Sequence, residues 1–251
     1  MMKPYYLLSL LWVGLLAACT SQPVQQQPNS HAEYSAKAIQ TESSSNHIDA
    51  SQQLGTKWGD DVSSYVQHVN LKRGANQPVD ETQVRYTDQQ FSGRRINSIS
   101  LASGKISFSI LDDHGRTLAL YREGTRYFLS GQNGQSYQLH YNNSSAQTFE
   151  IVASVDGLDV LDGHQASRKK SGYVLRPYSS ISIEGFRKSN RAVASFTFSA
   201  PQQSYVANST YGSIQNTGII GTVVYELKVP KAERSVQNDG YAPAPNAFPA
   251  D

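Results

Sequence analysis

The sequence predicts an all-β chain, an antiparallel β-sandwich standing behind a disordered N-terminal tether. Three observations carry this expectation. Short runs rich in Val, Ile, Tyr, Phe and Thr recur from about residue 82 to 227, punctuated by Gly, Asn, Asp and Ser. Several runs alternate with a period of two: Ile106, Phe108 and Ile110; Tyr137, Leu139 and Tyr141; Ile181 and Ile183. A strand with one buried and one wetted face requires that alternation. No long stretch shows the 3.6-residue periodicity of an amphipathic helix, and 18 Gly with 15 Tyr suit a turn-rich aromatic sheet protein.

Structure is expected to begin near Leu54. Gly55-Thr56-Lys57-Trp58-Gly59-Asp60-Asp61 reads as a turn. Residues 65–71 read as a strand through Val69 and Leu71, although Val62, Val66 and Val69 also suit a short helix. Strands are then predicted at 83–86, 98–101, 105–111, 117–121, 126–129, 136–141, 149–155, 173–175, 180–186, 192–198 and 218–227. Asp112-Asp113-His114-Gly115, Gly131-Gln132-Asn133-Gly134 and Tyr141-Asn142-Asn143-Ser144-Ser145 supply turn residues that tolerate positive φ. Residues 202–211 are a short, weakly patterned helix candidate. Residues 54–227 thus read as one sandwich domain, Ig-like or jelly-roll-like. Residues 228–251 form a Pro-rich tail, where Pro230, Pro243, Pro245 and Pro249 oppose a ladder strand.

The N-terminus carries its own message. Lys3 precedes the apolar run Leu7-Leu8-Ser9-Leu10-Leu11-Trp12-Val13-Gly14-Leu15-Leu16. A charged start, a short apolar core and a small-residue exit describe a secretory signal. The run is too short for a membrane span, which needs about 20 apolar residues. Leu16-Ala17-Ala18-Cys19 follows, and it resembles the lipobox of bacterial lipoproteins. Precursors of that family are acylated on the Cys sulfur and cut just before it. The resemblance implies a signal peptide at residues 1–18, a lipid (palmitate-bearing) anchor at Cys19, and a mature chain attached to a membrane. Residue 20 is Thr; Asp at that place in the family commonly signals inner-membrane retention. The resemblance therefore implies the outer membrane, facing the periplasm. Residues 19–53 are polar and rich in Ser, Gln and Asn, so they are expected to stay disordered. A coil of that length reaches about 30 Å.

Composition narrows the chemistry. The 22 Lys and Arg nearly balance 20 Asp and Glu, which argues against a nucleic-acid partner. The single Cys is Cys19, so the mature fold holds no intrachain disulfide, thiolate cluster or Cys nucleophile. Asp156, Asp159 and Asp162 are spaced three apart and invite a calcium reading. They lack the alternate acids and closing Glu of an EF-hand loop, and two tight turns at Asp156-Gly157 and Asp162-Gly163 account for them better. Arg168-Lys169-Lys170 reads as a solvated turn, and Arg187 as a partner of Glu184 or a nearby carbonyl. Gly-x-Ser-x-Gly and His-Glu-x-x-His are both absent, and the six His stand singly. No catalytic, cofactor-binding or metal residue is therefore assigned. The tyrosines read mainly as packing, with an exposed cluster left open.

A second resemblance spans residues 126–226. A Val155-Asp156-Gly157 turn, a Gly172-Tyr173-Val174 strand, Gly185-Phe186-Arg187-Lys188-Ser189 and Gly218-Ile219-Ile220-Gly221 succeed one another. This order resembles uncharacterised envelope lipoprotein domains and implies no activity. The expected function is a lipid-anchored, non-enzymatic interaction or accessory module, with other envelope proteins as partners. The alternatives are a carbohydrate- or peptidoglycan-binding module, or a hydrolase of envelope polymers.

Overall fold

A computed structural model of the chain describes residues 53–230. The expected signal peptide, Cys19, nearly all of the tether, and the tail from residue 231 lie outside the described residues. Among the described residues, sixteen strands form two sheets. They are β1 (Gly55–Ser63), β2 (Lys72–Arg73), β3 (Asp80–Thr87), β4 (Arg94–Ile96), β5 (Ile99–Leu101), β6 (Ile106–Asp112), β7 (Leu120–Glu123) and β8 (Arg126–Ser130). The second half holds β9 (Ser136–Asn143), β10 (Thr148–Val155), β11 (Leu158–Asp159), β12 (Tyr173–Leu175), β13 (Ser180–Ile183), β14 (Gly185–Ser189), β15 (Ala192–Ser199) and β16 (Ile219–Lys228).

One sheet runs β1-β15-β9-β6-β5, with β13 added on β9 and β14 on β15. The other runs β11-β10-β16-β3-β8-β7-β4, with β12 on β10 and β2 on β16. Every pairing between strands is antiparallel except that of β3 with β8. The two sheets face each other as a sandwich, and the alternation seen in sequence is what fills it. Ile106, Phe108 and Ile110 are buried while Ser107, Ser109 and Leu111 are half-exposed. Phe108 stacks on Tyr141 at 4.6 Å, and the Tyr141 hydroxyl crosses to Thr222 Oγ1 of the opposite sheet at 2.7 Å.

Several expectations are corrected. Residues 55–61 are not a turn but most of β1. Gly59 is not a turn glycine: a Cβ there would meet Ser195 Oγ and Thr197 Oγ1 of neighbouring β15, so the glycine serves a close strand approach. Residues 65–71 form neither strand nor helix; Tyr65 and Val69 are exposed, so their alternation faces no core. The predicted 180–186 strand breaks at Glu184 into β13 and β14. Residues 202–211 contain only 3₁₀ turns, at Pro201–Gln203 and Val206–Asn208. Asn142 and Asn143 extend β9 rather than opening a turn. Among the described residues no helix is long and apolar enough to cross a membrane.

Candidate functional site

The Asp156-Gly157 turn is a two-residue hairpin joining β10 to β11, with Val155 opposite Leu158 and both turn residues at positive φ (54° and 78°). Asp-Gly is favoured there because both turn positions need positive φ. The turn also carries the Asp156 carboxylate into the core, where it is 1 % exposed. Oδ1 accepts from the Tyr86 hydroxyl at 2.5 Å and from Gly218 N at 2.9 Å; Oδ2 accepts from Thr56 N at 2.7 Å. Thr56 Oγ1 then bridges the Tyr86 and Tyr137 hydroxyls at 2.8 and 2.7 Å. Thr56 and Tyr137 lie in one sheet and Tyr86 in the other. Burial pushes the Asp156 carboxyl up to about 6, against the hydrogen bonds that hold it down. Burial likewise holds both phenols protonated. This network is a cross-sheet clasp.

The other aspartates of the calcium reading go elsewhere. Asp159 Oδ1 caps the amides of Leu161 and Asp162, while Asp162 pairs with Lys170 and its Oδ1 accepts from His164 N. The three carboxylates thus close separate turns and bonds. Among the described residues, the acids and imidazole whose ligand atoms gather within 4.8 Å are Asp112, Asp113 and His114. There Asp112 is spent on the turn, accepting from the amides of His114 and Arg116 and pairing with the Arg116 side chain at 2.8 Å.

The basic run 168–170 is pinned rather than merely solvated. Arg168 makes a two-pronged bond to Glu81 at 2.7 and 2.9 Å, and Lys170 pairs with Asp162. Arg73 donates to the carbonyls of Arg168 and Lys170, pairs with Glu150, and lies 3.7 Å over the Tyr225 ring. Arg187 takes the carbonyl option: it donates to Ser64 O at 2.6 Å and to the Tyr173 hydroxyl. Its place is strand β14, where Gly185 is obligatory because a Cβ would strike the carbonyl of Ala194.

The hydrolase alternative asks for a Ser–His contact, and one exists. His140 Nδ1 lies 3.0 Å from Ser182 Oγ, the two residues being cross-strand neighbours on β9 and β13. Among the described residues no carboxylate bonds this ring to orient it, as a triad needs. Tyr65, Tyr178 and Tyr211 are exposed, but no ring contact joins one to another; Tyr211 packs on His164 instead. Trp58, 44 % exposed, is stacked on Tyr205 at 4.6 Å and offers an aromatic platform.

Sequence reasoning missed the groove. A cavity of about 720 Å³ opens where β3 runs on past the start of β8, since their pairing begins only at Val84 and Tyr127. Its floor includes Gly221, Val223 and Ser154, which face away from the core because Thr222 between them faces in. The Arg168–Glu81 pair, Arg85, Arg122 and Arg126 are among the residues that line it. Register sorts these arginines by face: Arg85 and Arg126 share the outer face with Phe128, whereas Arg122 shares the parity of the core residues Val84 and Leu120. One row across β4, β7, β8 and β3 reads Arg95, Tyr121, Phe128, Arg85; the next reads Arg94, Arg122, Tyr127, Val84. Phe91 covers the aromatic pair, 4.9 Å from Phe128 and 5.9 Å from Tyr121. Comparison of the chain with protein-family models, curated proteins and solved structures found no match.

Proposed function

We propose that this protein is a lipid-anchored interaction module of a bacterial cell envelope, held to the outer membrane through Cys19. The observation that carries the reading is Leu16-Ala17-Ala18-Cys19, with the chain's single Cys, ahead of a folded β-sandwich. A diacylated or triacylated Cys gives stable attachment, where one chain binds only marginally. The sandwich supplies what a docking module needs: a rigid frame clasped by Asp156, and a surface groove of about 720 Å³ rimmed by exposed charges. Its buried acids serve turns, the clasp and, for Glu150, the pair with Arg73. The test is a cross-linked pull-down of the full chain from bacterial cells, with Cys19→Ala as comparison. A defined set of envelope proteins held by the intact chain and lost with Cys19→Ala is expected. Equal sets for both chains would overturn the reading.

A second reading, binding of envelope glycan, is favoured by Trp58 and Tyr205 alone. Retention on purified sacculi that is lost in Trp58→Ala would move it to the front, because aromatic faces are what sugars stack on.

A further inference from the structure

We infer that the groove beside the start of β3 takes an extended acidic peptide of a partner protein, which joins the sheet there as an added strand. The inference rests on the interaction-module reading and gives that module its contact surface and the chemistry of its partner.

β3 is paired along only part of its length. On one side β16 follows it from Asp80 to Arg85. On the other side β8 pairs with it only from Val84 to Thr87. Among the described residues, no strand takes up that second side at residues 80–83. The Tyr86 amide donates to Gly218 O, toward β16, and backbone groups point to alternate sides along a strand. Val84 and Thr82 therefore turn to β16 as well, while Glu81 and Gln83 turn their amides and carbonyls to the open side. The Glu81 amide is taken by Asp80 Oδ1 at 2.8 Å. Among the described residues no side chain caps the Gln83 amide. An uncovered edge of this kind is a template for another strand, and extended peptides bind by pairing their main chain with one.

The open side is a cavity of about 720 Å³. It is lined from both faces of β3, by half-buried Thr82 and by exposed Glu81 and Gln83, so it follows the strand edge itself. Ile99 and Leu101 of β5, the edge strand of the other sheet, line its inner side. Cross-strand neighbours share a face, so an added strand presents alternate side chains to two environments. Those beside Thr82 meet Ile99 and Leu101, which suit apolar groups. Those beside Glu81 and Gln83 point outward, to the face that carries Arg85 and Arg126.

Charge sets the sign of the outward side chains. Four arginines line the cavity, Arg85, Arg122, Arg126 and Arg168, against the acids Asp80 and Glu81. Both acids are engaged: Asp80 accepts from the amides of Glu81 and Ala102, and Glu81 receives both prongs of Arg168. Glu123 stands opposite Arg126 in the β7–β8 hairpin. With Glu123 counted, positive charge is still in excess. Among the described residues no carboxylate pairs with Arg85 or Arg122; Arg122 Nε donates to a neutral carbonyl, Gly124 O, at 2.8 Å.

The test uses the chain from Thr20 onward, which holds every described residue, and a labelled, end-blocked peptide of alternating Glu and Val. Fluorescence anisotropy follows the binding. Saturable binding that falls as salt is raised is expected, and the same peptide with Lys in place of Glu should not bind. Each exposed ion pair is worth about threefold, so Arg85→Gln with Arg122→Gln should weaken binding about tenfold. Lys72→Gln with Lys228→Gln removes equal charge outside the groove and should change nothing. Circular dichroism melting checks that each variant folds. Hydrogen exchange on the unsubstituted chain separates strand addition from mere charge attraction. Saturating peptide should slow exchange of the Gln83 amide about tenfold or more and leave Thr82 unchanged. No binding up to about 1 mM peptide overturns the inference, as does equal binding of the Lys peptide or unchanged exchange at Gln83. Binding that appears only once residues 231–251 are removed also overturns it, assigning the groove to the chain's own tail. Protection of Gln83 that rises with the concentration of the chain alone overturns it in favour of a second copy. The titration involves neither membrane nor acyl group, so its failure leaves the anchor at Cys19 standing, and failure of the anchor leaves the titration unchanged.

Discussion

Tyr86→Phe isolates the clasp with no change of shape. The substitution deletes one oxygen that donates to Asp156 Oδ1 at 2.5 Å and lies 2.8 Å from Thr56 Oγ1, all of it in the core. Thr56 keeps Tyr137, and Asp156 keeps the amides of Thr56 and Gly218, so neither partner is stripped bare. A hydrogen bond to a charged acceptor contributes about 1.5–3 kcal/mol, and the expected loss is therefore roughly 2–3 kcal/mol. Against a total stability of about 5–15 kcal/mol this is easily read. Urea unfolding near neutral pH should show a lower midpoint with unchanged slope, since the surface exposed on unfolding is the same. The cost should shrink below pH 6, where Asp156 binds its proton and no longer presents a full charge. A loss under about 0.5 kcal/mol at neutral pH would refute the clasp, because bonds to a buried carboxylate cannot be that weak.

Four further outcomes are expected. The Asp156 carboxyl is raised from 3.8 to about 6 in the fold, so the folded state holds the proton more tightly. Its contribution to stability is full below about pH 4, is lost as pH rises through 6, and amounts to roughly 3 kcal/mol. Subtracting the stability–pH curve of Asp156→Asn from that of the parent should isolate a fall in this window, and a flat difference would contradict it. Gly185→Ala forces a Cβ against the Ala194 carbonyl and should lower stability by about 1–3 kcal/mol in thermal unfolding. Arg73→Gln leaves nearly buried Glu150 with the Gly172 amide as its remaining partner; hydrogen exchange at Gly172 should quicken, with a stability loss of about 3 kcal/mol. A fluorophosphonate probe should leave Ser182 unlabelled, and labelling there would favour the hydrolase.

The strands that alternate around the core were legible from sequence, and so was the Asp156-Gly157 hairpin. Both are local: Ile106, Phe108 and Ile110 need only a period of two, and the hairpin needs only two residues at positive φ. What escaped depends on partners distant in the chain. Asp156 reads as a turn residue because its clasp partners, Thr56 and Tyr86, lie 100 and 70 positions away. β1 was hidden because its glycine answers to β15, more than a hundred residues downstream. The groove is invisible for the same reason: β3, β8, β10, β16 and residues 166–168, which line it, meet only through the register of distant strands.

The lipid anchor is tested most directly by the mass of the N-terminal peptide of the protein isolated from its cells. The prediction is a chain beginning at Cys19, carrying acyl groups on the sulfur and recovered with the membrane fraction. A chain whose Cys19 sulfur is bare, or which begins at any other residue, would contradict it.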